Sequence, residues 1–205
     1  MSDRGRKGHW RPPLSLNQRI TAFDQRVDKE FDRVRGHPFA DRLFYGASAV
    51  GDHGLIWLIL ATARALRSDQ DRRYAARAAV GVGVESALVN GVIKTLIGRR
   101  RPVETATGTR PLPLRMPRTS SFPSGHATSA FCAATLLSED DPLAPLYFGA
   151  ALIVAWSRVY VRIHHASDVL AGIAVGLALG GLGRRLARIP PRQESAAPPR
   201  GWKTK

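Results

Sequence analysis

Cysteine and acidic residues are both scarce in this sequence. Cys132 is the only cysteine, so no intrachain disulfide can form, and its apolar neighbours indicate a small packing residue. Lys and Arg number 31, against 16 Asp and Glu. The few acidic residues do not cluster in the way that magnesium-binding carboxylates do. The sequence therefore predicts neither a metal site nor another cofactor.

No recognised nucleic-acid-binding motif accompanies the formal net charge of +15. The positive charges are spread over both termini and the loops, and each Lys or Arg near an anionic bilayer is worth about 1 kcal/mol of attraction. We therefore expect membrane lipids, and no nucleic acid, as the partners of these cations. The first fifteen residues are charged and lack an apolar core, so no signal peptide is predicted.

The distribution of charge divides the chain into basic ends and an apolar middle. Residues 1–42 hold ten Lys or Arg and six acidic residues, whereas long, weakly charged stretches follow. This contrast is typical of an integral membrane protein and predicts an all-α helical bundle. The expected organisation is a disordered basic segment 1–15, an interfacial helix 16–42, a membrane domain 43–187 and a disordered, Pro-rich tail 188–205.

Residues 16–34 carry apolar side chains at steps of three and four, which form one face of a helix. The apolar positions are Leu16, Ile20, Phe23, Val27, Phe31 and Val34. Charged residues lie between them, so we expect an amphipathic helix on the membrane surface. A helix docked on the loops of its own or a neighbouring subunit is the alternative.

Five hydrophobic segments follow, and they predict five spanning helices: 43–66, 74–97, 124–137, 145–162 and 168–187. The first segment contains the polar pair Asp52 and His53, for which we favour a structural role. In the last segment, small residues recur every four positions and form a smooth stripe that suits close helix packing. The stripe consists of Gly172, Gly176 and Gly180.

Polar residues suited to phosphate chemistry occur in three blocks at the ends of these segments. They are Lys94 and Arg101; Ser124, Gly125 and His126; and Arg158, His164 and Asp168. The second and fourth predicted helices end, and the third and fifth begin, at one membrane face, so helix counting alone brings the blocks together. Three cations can neutralise a phosphate dianion, and a helix start offers free N–H groups to its oxygens.

His164 and Asp168 are four residues apart and share a face if this stretch is helical, where Asp168 can accept a hydrogen bond from one imidazole nitrogen. His165 is a rival for the role of His164. Arginines outside the blocks are interpreted as contacts to lipid headgroups. These are Arg99, Arg100, Arg110, Arg115 and Arg118.

The order and spacing of the eight block residues resemble the motifs of the type 2 phosphatidic acid phosphatase superfamily, which includes lipid phosphate phosphatases and vanadium haloperoxidases. The motifs span 94–168, and the surrounding helices extend the resemblance to about 43–187. The resemblance implies that His164 attacks phosphorus to form a phosphohistidine, and its spacing favours His164 over His165. It also implies that His126 protonates the leaving oxygen. The phosphate would be bound by Lys94, Arg101, Ser124, Gly125 and Arg158.

The sequence thus predicts a metal-independent, multi-pass lipid phosphatase of the plasma membrane. Candidate substrates are polyprenyl phosphates or pyrophosphates, a polyprenyl-linked sugar phosphate such as decaprenylphosphoryl-phosphoribose, phosphatidic acid and phosphatidylglycerophosphate. A vanadate-dependent haloperoxidase and a non-catalytic lipid-binding membrane protein are the alternatives. The sequence leaves a homo-oligomer open.

Overall fold

The computed structural model describes residues 15–102 and 119–190, without the side chain of His53. Over these residues the chain is helical and contains no β-strand, which confirms the predicted all-α fold. The predicted disordered ends, apart from residues 15 and 188–190, lie outside the described residues, as do Arg110, Arg115 and Arg118. The helices of the described part are α1 Leu16–Asp32, α2 Pro38–Gly51, α3 Leu55–Ala65, α4 Asp69–Leu96, α5 Gly125–Leu137, α6 Ala144–Tyr160 and α7 Ala166–Leu186. Helix α4 is π-helical over Ala87–Ile93.

Helix α1 begins with a capping box. The backbone N–H of Ser15 donates to the side chain of Gln18 at 2.8 Å, and the Ser15 hydroxyl accepts from the Gln18 N–H. A helix is therefore present over Leu16–Asp32, but it ends before residue 42, and residues 38–42 belong to α2. The apolar face of α1 packs on the bundle through Phe31, which meets the ring of Tyr160 edge-on at 6.0 Å, and Asp24 is buried against the start of α7. Helix α1 is thus docked on its own chain. This agrees with the alternative given for this segment, and not with a helix that contacts lipid alone.

The first predicted spanning helix, 43–66, is broken in the structure. Helix α2 ends at Gly51, a 3-10 turn Asp52–Gly54 follows, and the axes of α2 and α3 differ by 75°. Gly54 adopts a φ of +70°, which favours glycine over other residues. The Asp52 carboxylate, which is costly to place in lipid, finds polar partners inside the bundle. The prediction of one continuous helix here is wrong for these two reasons.

Two helices of the described residues, α4 and α7, are long and apolar enough to cross a membrane, and the bent pair α2–α3 adds a third if it counts as one span. The five predicted hydrophobic segments all form helices. However, α5 has only 13 residues, which corresponds to about 20 Å against roughly 30 Å of hydrocarbon. By length and composition, two helices of the described part can span a membrane, or three with the bent pair, and the number of five stays a prediction.

Helix α5 is the centre of the bundle and is buried along almost its whole length. Helix α7 packs on it through the predicted glycine stripe. A Cβ at Gly176 would lie 2.4 Å from the carbonyl oxygen of Thr128, so a larger residue is excluded there. The starts of the two helices also touch, because the backbone N–H of Ser124 donates to the carbonyl oxygen of Asp168 at 3.0 Å. This contact fixes two of the three motif blocks relative to each other.

Buried ion pairs close the opposite end of the bundle. Arg64, fully buried near the end of α3, has its Nε 3.0 Å from Oδ1 of Asp71 and 3.4 Å from Oδ2 of Asp141. Arg67 also pairs with Asp141, and the hydroxyl of Tyr147 donates to the same carboxylate at 2.9 Å. The acidic turn between α5 and α6 is thereby held against the start of α4.

Candidate active site

The ends of α4, α5, α6 and α7 that carry the three blocks meet around one cavity of about 640 Å³. Ser124 and Asp168 are fully buried beside it. The other six predicted site residues line it: Lys94, Arg101, Gly125, His126, Arg158 and His164. The structure therefore gathers all eight residues at one end of the bundle, as helix counting predicts.

His164 lies between α6 and α7 with its side chain almost completely buried. Its Nδ1 is 2.7 Å from the carbonyl oxygen of Ser121, so this nitrogen carries the proton and donates it. Its Nε2 lies 3.4 Å from Nη1 of Arg101. Burial lowers the pKa of His164 to about 4, so the ring is neutral at pH 7 and Nε2 keeps its lone pair. This arrangement suits a nucleophile.

Asp168 supports His164 less directly than predicted. The carboxylate Oδ2 is 3.7 Å from Nδ1 of His164, whereas Nδ1 donates its shorter hydrogen bond to the carbonyl oxygen of Ser121. The same Oδ2 accepts the backbone N–H of His165 at 2.9 Å. Asp168 therefore holds the turn that carries His164 and adds negative charge beside its ring. The Ser121 carbonyl gives no signal in the sequence, because any residue type has one.

The interpretation of Arg99 as a contact to lipid headgroups is wrong, because its guanidinium binds side chains of the bundle. Its guanidinium donates to the carboxylate of Asp168 and, at 2.8 Å, to the hydroxyl of Ser167. Its other terminal nitrogen lies 2.7 Å from Oδ2 of Asp24 in α1. Arg99 thus links α1 to the carboxylate beside His164, which the motif spacing does not reveal.

The start of α5 and the end of α4 form one wall of the cavity. The Ser124 side chain caps α5 by accepting the N–H of Ala127. Lys94 donates to Oδ1 of Asn90 at 2.9 Å, so these two residues share a helix face. A Cβ on Gly125 would come within 3.3 Å of Nζ of Lys94, so glycine keeps the ammonium and the free N–H groups of α5 close together.

Arg101 and Arg158 supply the other two positive charges. Arg101 is held by backbone carbonyls, including that of Ile163 at 3.0 Å and that of Ser120 at 3.2 Å. Arg158 is almost fully buried and donates to the hydroxyl of Ser48 in α2. Both guanidinium groups are therefore fixed before any anion arrives, which is the arrangement that electrostatic stabilisation requires.

Asp52 is a residue of this cavity that the motif pattern misses. It lies at the break between α2 and α3, and its Oδ1 is 2.7 Å from Nε2 of His126. The same oxygen is 3.8 Å from Nη1 of Arg158. The structure places this carboxylate at the cavity, and the structural role favoured for it stays a prediction. An ionisable residue inside a predicted membrane helix was the available signal.

Residues 74–188 match the PAP2 superfamily. The chain belongs to this superfamily. Decaprenylphosphoryl-5-phosphoribose phosphatase of Mycobacterium tuberculosis is 36% identical over 149 residues, which are 70% of this chain and 81% of that protein. Lipid A 1-phosphatase of Porphyromonas gingivalis is 38% identical over 110 residues, which are 51% of this chain and 22% of that protein.

A solved PAP2 structure shares the fold of this chain. It is the crystal structure of a transmembrane PAP2 type phosphatidylglycerolphosphate phosphatase from Bacillus subtilis, which matches with a TM-score of 0.64 and 24% identity. The match covers 82% of this chain and 86% of that one. The PAP2 fold therefore extends beyond the motif region, as the sequence resemblance implies.

Proposed function

We propose that this PAP2 protein is an integral membrane phosphatase of the plasma membrane that removes a terminal phosphate from a lipid. The observation that carries the proposal is the position of His164: a neutral, buried imidazole whose Nε2 adjoins a fixed arginine in a cavity lined by two further cations. The named relatives are phosphatases, which supports the reaction class.

The reaction has two steps, both at phosphorus. In the first, the lone pair of His164 Nε2 forms a bond to phosphorus while the bond to the lipid oxygen breaks, and that oxygen takes a proton from His126. In the second, water loses a proton to His126 as its oxygen bonds to phosphorus, and the electrons of the N–P bond return to His164. Lys94, Arg101 and Arg158 stabilise the charge on the phosphate oxygens throughout.

The polarity of the cavity lining also supports a lipid substrate. Away from the cations its lining is apolar and follows α3, α4 and α5, with Trp57, Leu58, Ala61, Val82 and Leu137 among the lining residues. An anionic headgroup at one end and a hydrocarbon chain along the other match this change in polarity. Among the candidate lipids we place decaprenylphosphoryl-5-phosphoribose first, because the relative with that activity aligns over 81% of its length.

The test is phosphate release by the purified protein in detergent. The panel contains decaprenylphosphoryl-5-phosphoribose, a polyprenyl pyrophosphate, phosphatidic acid and phosphatidylglycerophosphate. We expect release from at least one lipid, fastest from the first, and loss by His164→Ala of about 10⁴-fold or more, as removal of a nucleophile causes. His165→Ala is the matched control and should keep most activity. Absence of release from every lipid would contradict the proposal, and so would full activity of His164→Ala.

A further inference from the structure

The histidine proposed as the proton donor, His126, is held by a residue outside the three motif blocks. We propose that Asp52 is a positioning residue that orients His126 for proton transfer to the leaving oxygen. This inference rests on the proposed phosphatase function and adds a specific role for the break between α2 and α3.

Two contacts tie His126 to this break. The first is the 2.7 Å contact between Nε2 of His126 and Oδ1 of Asp52. The second is packing of the ring on Gly51, where a Cβ would lie 3.1 Å from Cδ2 of His126 and 2.9 Å from Cγ1 of Val154. Gly51 therefore brings the backbone against the imidazole, and the adjacent carboxylate fixes the rotation of the ring. The bend after α2 thus places Gly51 and Asp52 against His126, which a straight helix would not do.

The charge of Asp52 opposes the binding of an anionic substrate in this cavity. Among the described residues that line the cavity, it is the one acidic side chain, beside the cations Lys94, Arg101 and Arg158. A carboxylate close to Arg158 opposes the binding of a phosphate dianion, since like charges repel in a site of low dielectric. A role in the reaction offsets this cost, whereas a role in packing alone does not require a charged group.

The bond to Asp52 also assigns the two ring nitrogens of His126. A carboxylate only accepts, so Nε2 is the donor in this pair. Within the part of the chain that the structure describes, Nδ1 of His126 has no hydrogen-bond partner, so Nδ1 is the nitrogen that exchanges a proton. His164 has the opposite arrangement, with Nδ1 held by Ser121 and Nε2 next to the cavity cations. In each histidine, one ring nitrogen is thus held by a hydrogen bond, and the other takes part in the proposed reaction.

The step follows from this assignment. When His126 is protonated on both nitrogens, Nδ1 gives its proton to the lipid oxygen as the bond from that oxygen to phosphorus breaks. Nε2 keeps its proton and its bond to Asp52. The neutral ring then takes a proton from water at Nδ1 as the phosphohistidine is hydrolysed, and the imidazolium is restored.

The test is Asp52→Asn assayed on two esters that differ in their leaving group. An alkyl lipid phosphate needs a proton on its leaving oxygen, whereas 4-nitrophenyl phosphate releases a stable phenolate without one. The quantity compared is kcat/KM, which reports the steps up to loss of the leaving group. We expect kcat/KM for the alkyl phosphate to fall roughly 10- to 100-fold, as for other carboxylates that orient a histidine, and that for the nitrophenyl ester to fall less than about threefold.

Controls separate this role from folding and from charge balance. Asp69→Asn removes an exposed carboxylate at the start of α4 and should leave both esters unchanged. Asp52→Glu, which keeps the charge, should recover part of the lost rate on the alkyl phosphate. Equal losses on both esters, or no loss on the alkyl phosphate, would overturn the inference. A lower KM and tighter inhibition by inorganic phosphate with unchanged kcat would also overturn it, because Asp52 would then only balance Arg158.

The proposed function and this inference fail differently. If the wild-type protein releases no phosphate from any lipid, the proposed function fails. If the wild type is active and Asp52→Asn shows no dependence on the leaving group, the function stands and the role of Asp52 does not.

Discussion

Asp24 in α1 and Arg99 after α4 are joined by a 2.7 Å ion pair, and Arg99 also contacts the carboxylate that lies beside His164. Helix α1 is therefore connected to the reaction centre through two side chains. The backbone N–H and the hydroxyl of Ser167 both donate to Asp24 at 2.8 Å, which fixes the same pair to the start of α7.

This connection predicts a kinetic effect of Asp24→Asn. The amide loses the charge that holds Arg99, so Asp168 and the turn that carries His164 become less firmly placed. We expect kcat to fall about tenfold with KM little changed, the size that loss of a supporting contact has at other sites. The control on the same helix is Glu30→Gln, which changes an exposed residue that pairs with Arg33. Equal activity of the two variants would show that α1 does not support the site.

We expect substitution of Arg64, at the other end of the bundle, to lower the stability of the protein strongly. Arg64→Met leaves the buried carboxylates of Asp71 and Asp141 short of a cation, and breaking such a pair costs about 3–5 kcal/mol. The measurement is the free energy of unfolding of each variant in detergent. Arg72→Met, which removes an exposed arginine paired with Asp69, should change it by less than about 0.5 kcal/mol. Similar values for both variants would rule out a stabilising role of the buried pair.

We expect the pH dependence of stability to reflect the lowered pKa of Asp141. Burial alone would raise the pKa of this carboxyl, but hydrogen bonds from Arg67, from the Leu143 N–H and from Tyr147 outweigh it and lower the pKa to about 2. A folded-state pKa below the unfolded value of about 3.9 contributes stability above that value. The contribution is lost as pH falls through the range between the two.

The measurement is the unfolding temperature of the wild type and of Asp141→Asn between pH 7 and pH 3. We expect a constant difference down to about pH 5 and a smaller one below about pH 4, because the wild-type carboxylate is then protonated on unfolding. A difference that stays constant from pH 7 to pH 3 would mean that the pKa of Asp141 is not depressed.

Metal removal supplies a further prediction. Lys94, Arg101 and Arg158 provide the positive charge that metal ions provide in many phosphatases. We therefore expect phosphate release to continue after treatment with EDTA and dialysis. Complete loss of turnover on chelation, restored by magnesium, would contradict the mechanism.

The sequence predicted the parts of this molecule that depend on periodicity and helix counting. The hydrophobic segments gave α4 to α7 within a few residues, except that the second begins at Asp69 rather than near residue 74. The glycines of α7 predicted its packing on α5, and Gly176 bears this out. The meeting of the three blocks needed only the alternation of helix direction, so it was predictable without coordinates.

Tertiary contacts of single side chains were not predictable in the same way. Asp52 joins His126 across 74 positions of sequence because Gly54 permits a turn inside a hydrophobic segment. Arg99 stands among several similar arginines, and only the docking of α1 distinguishes it. The roles of Lys94, Arg101, Ser124, Gly125, Arg158, His126, His164 and Asp168 in turnover stay predictions, since their geometry is compatible with those roles and does not measure them.

The central claim is that His164 becomes phosphorylated during turnover, and rapid quenching followed by mass spectrometry tests it most directly. The protein is mixed with its fastest lipid substrate, quenched under alkaline conditions that preserve phosphohistidine, and digested for site assignment. We expect phosphate on His164 in the wild type and in His165→Ala, and its absence in His164→Ala. Phosphate on His165 or on another residue, or turnover without any phosphorylated residue, would contradict it.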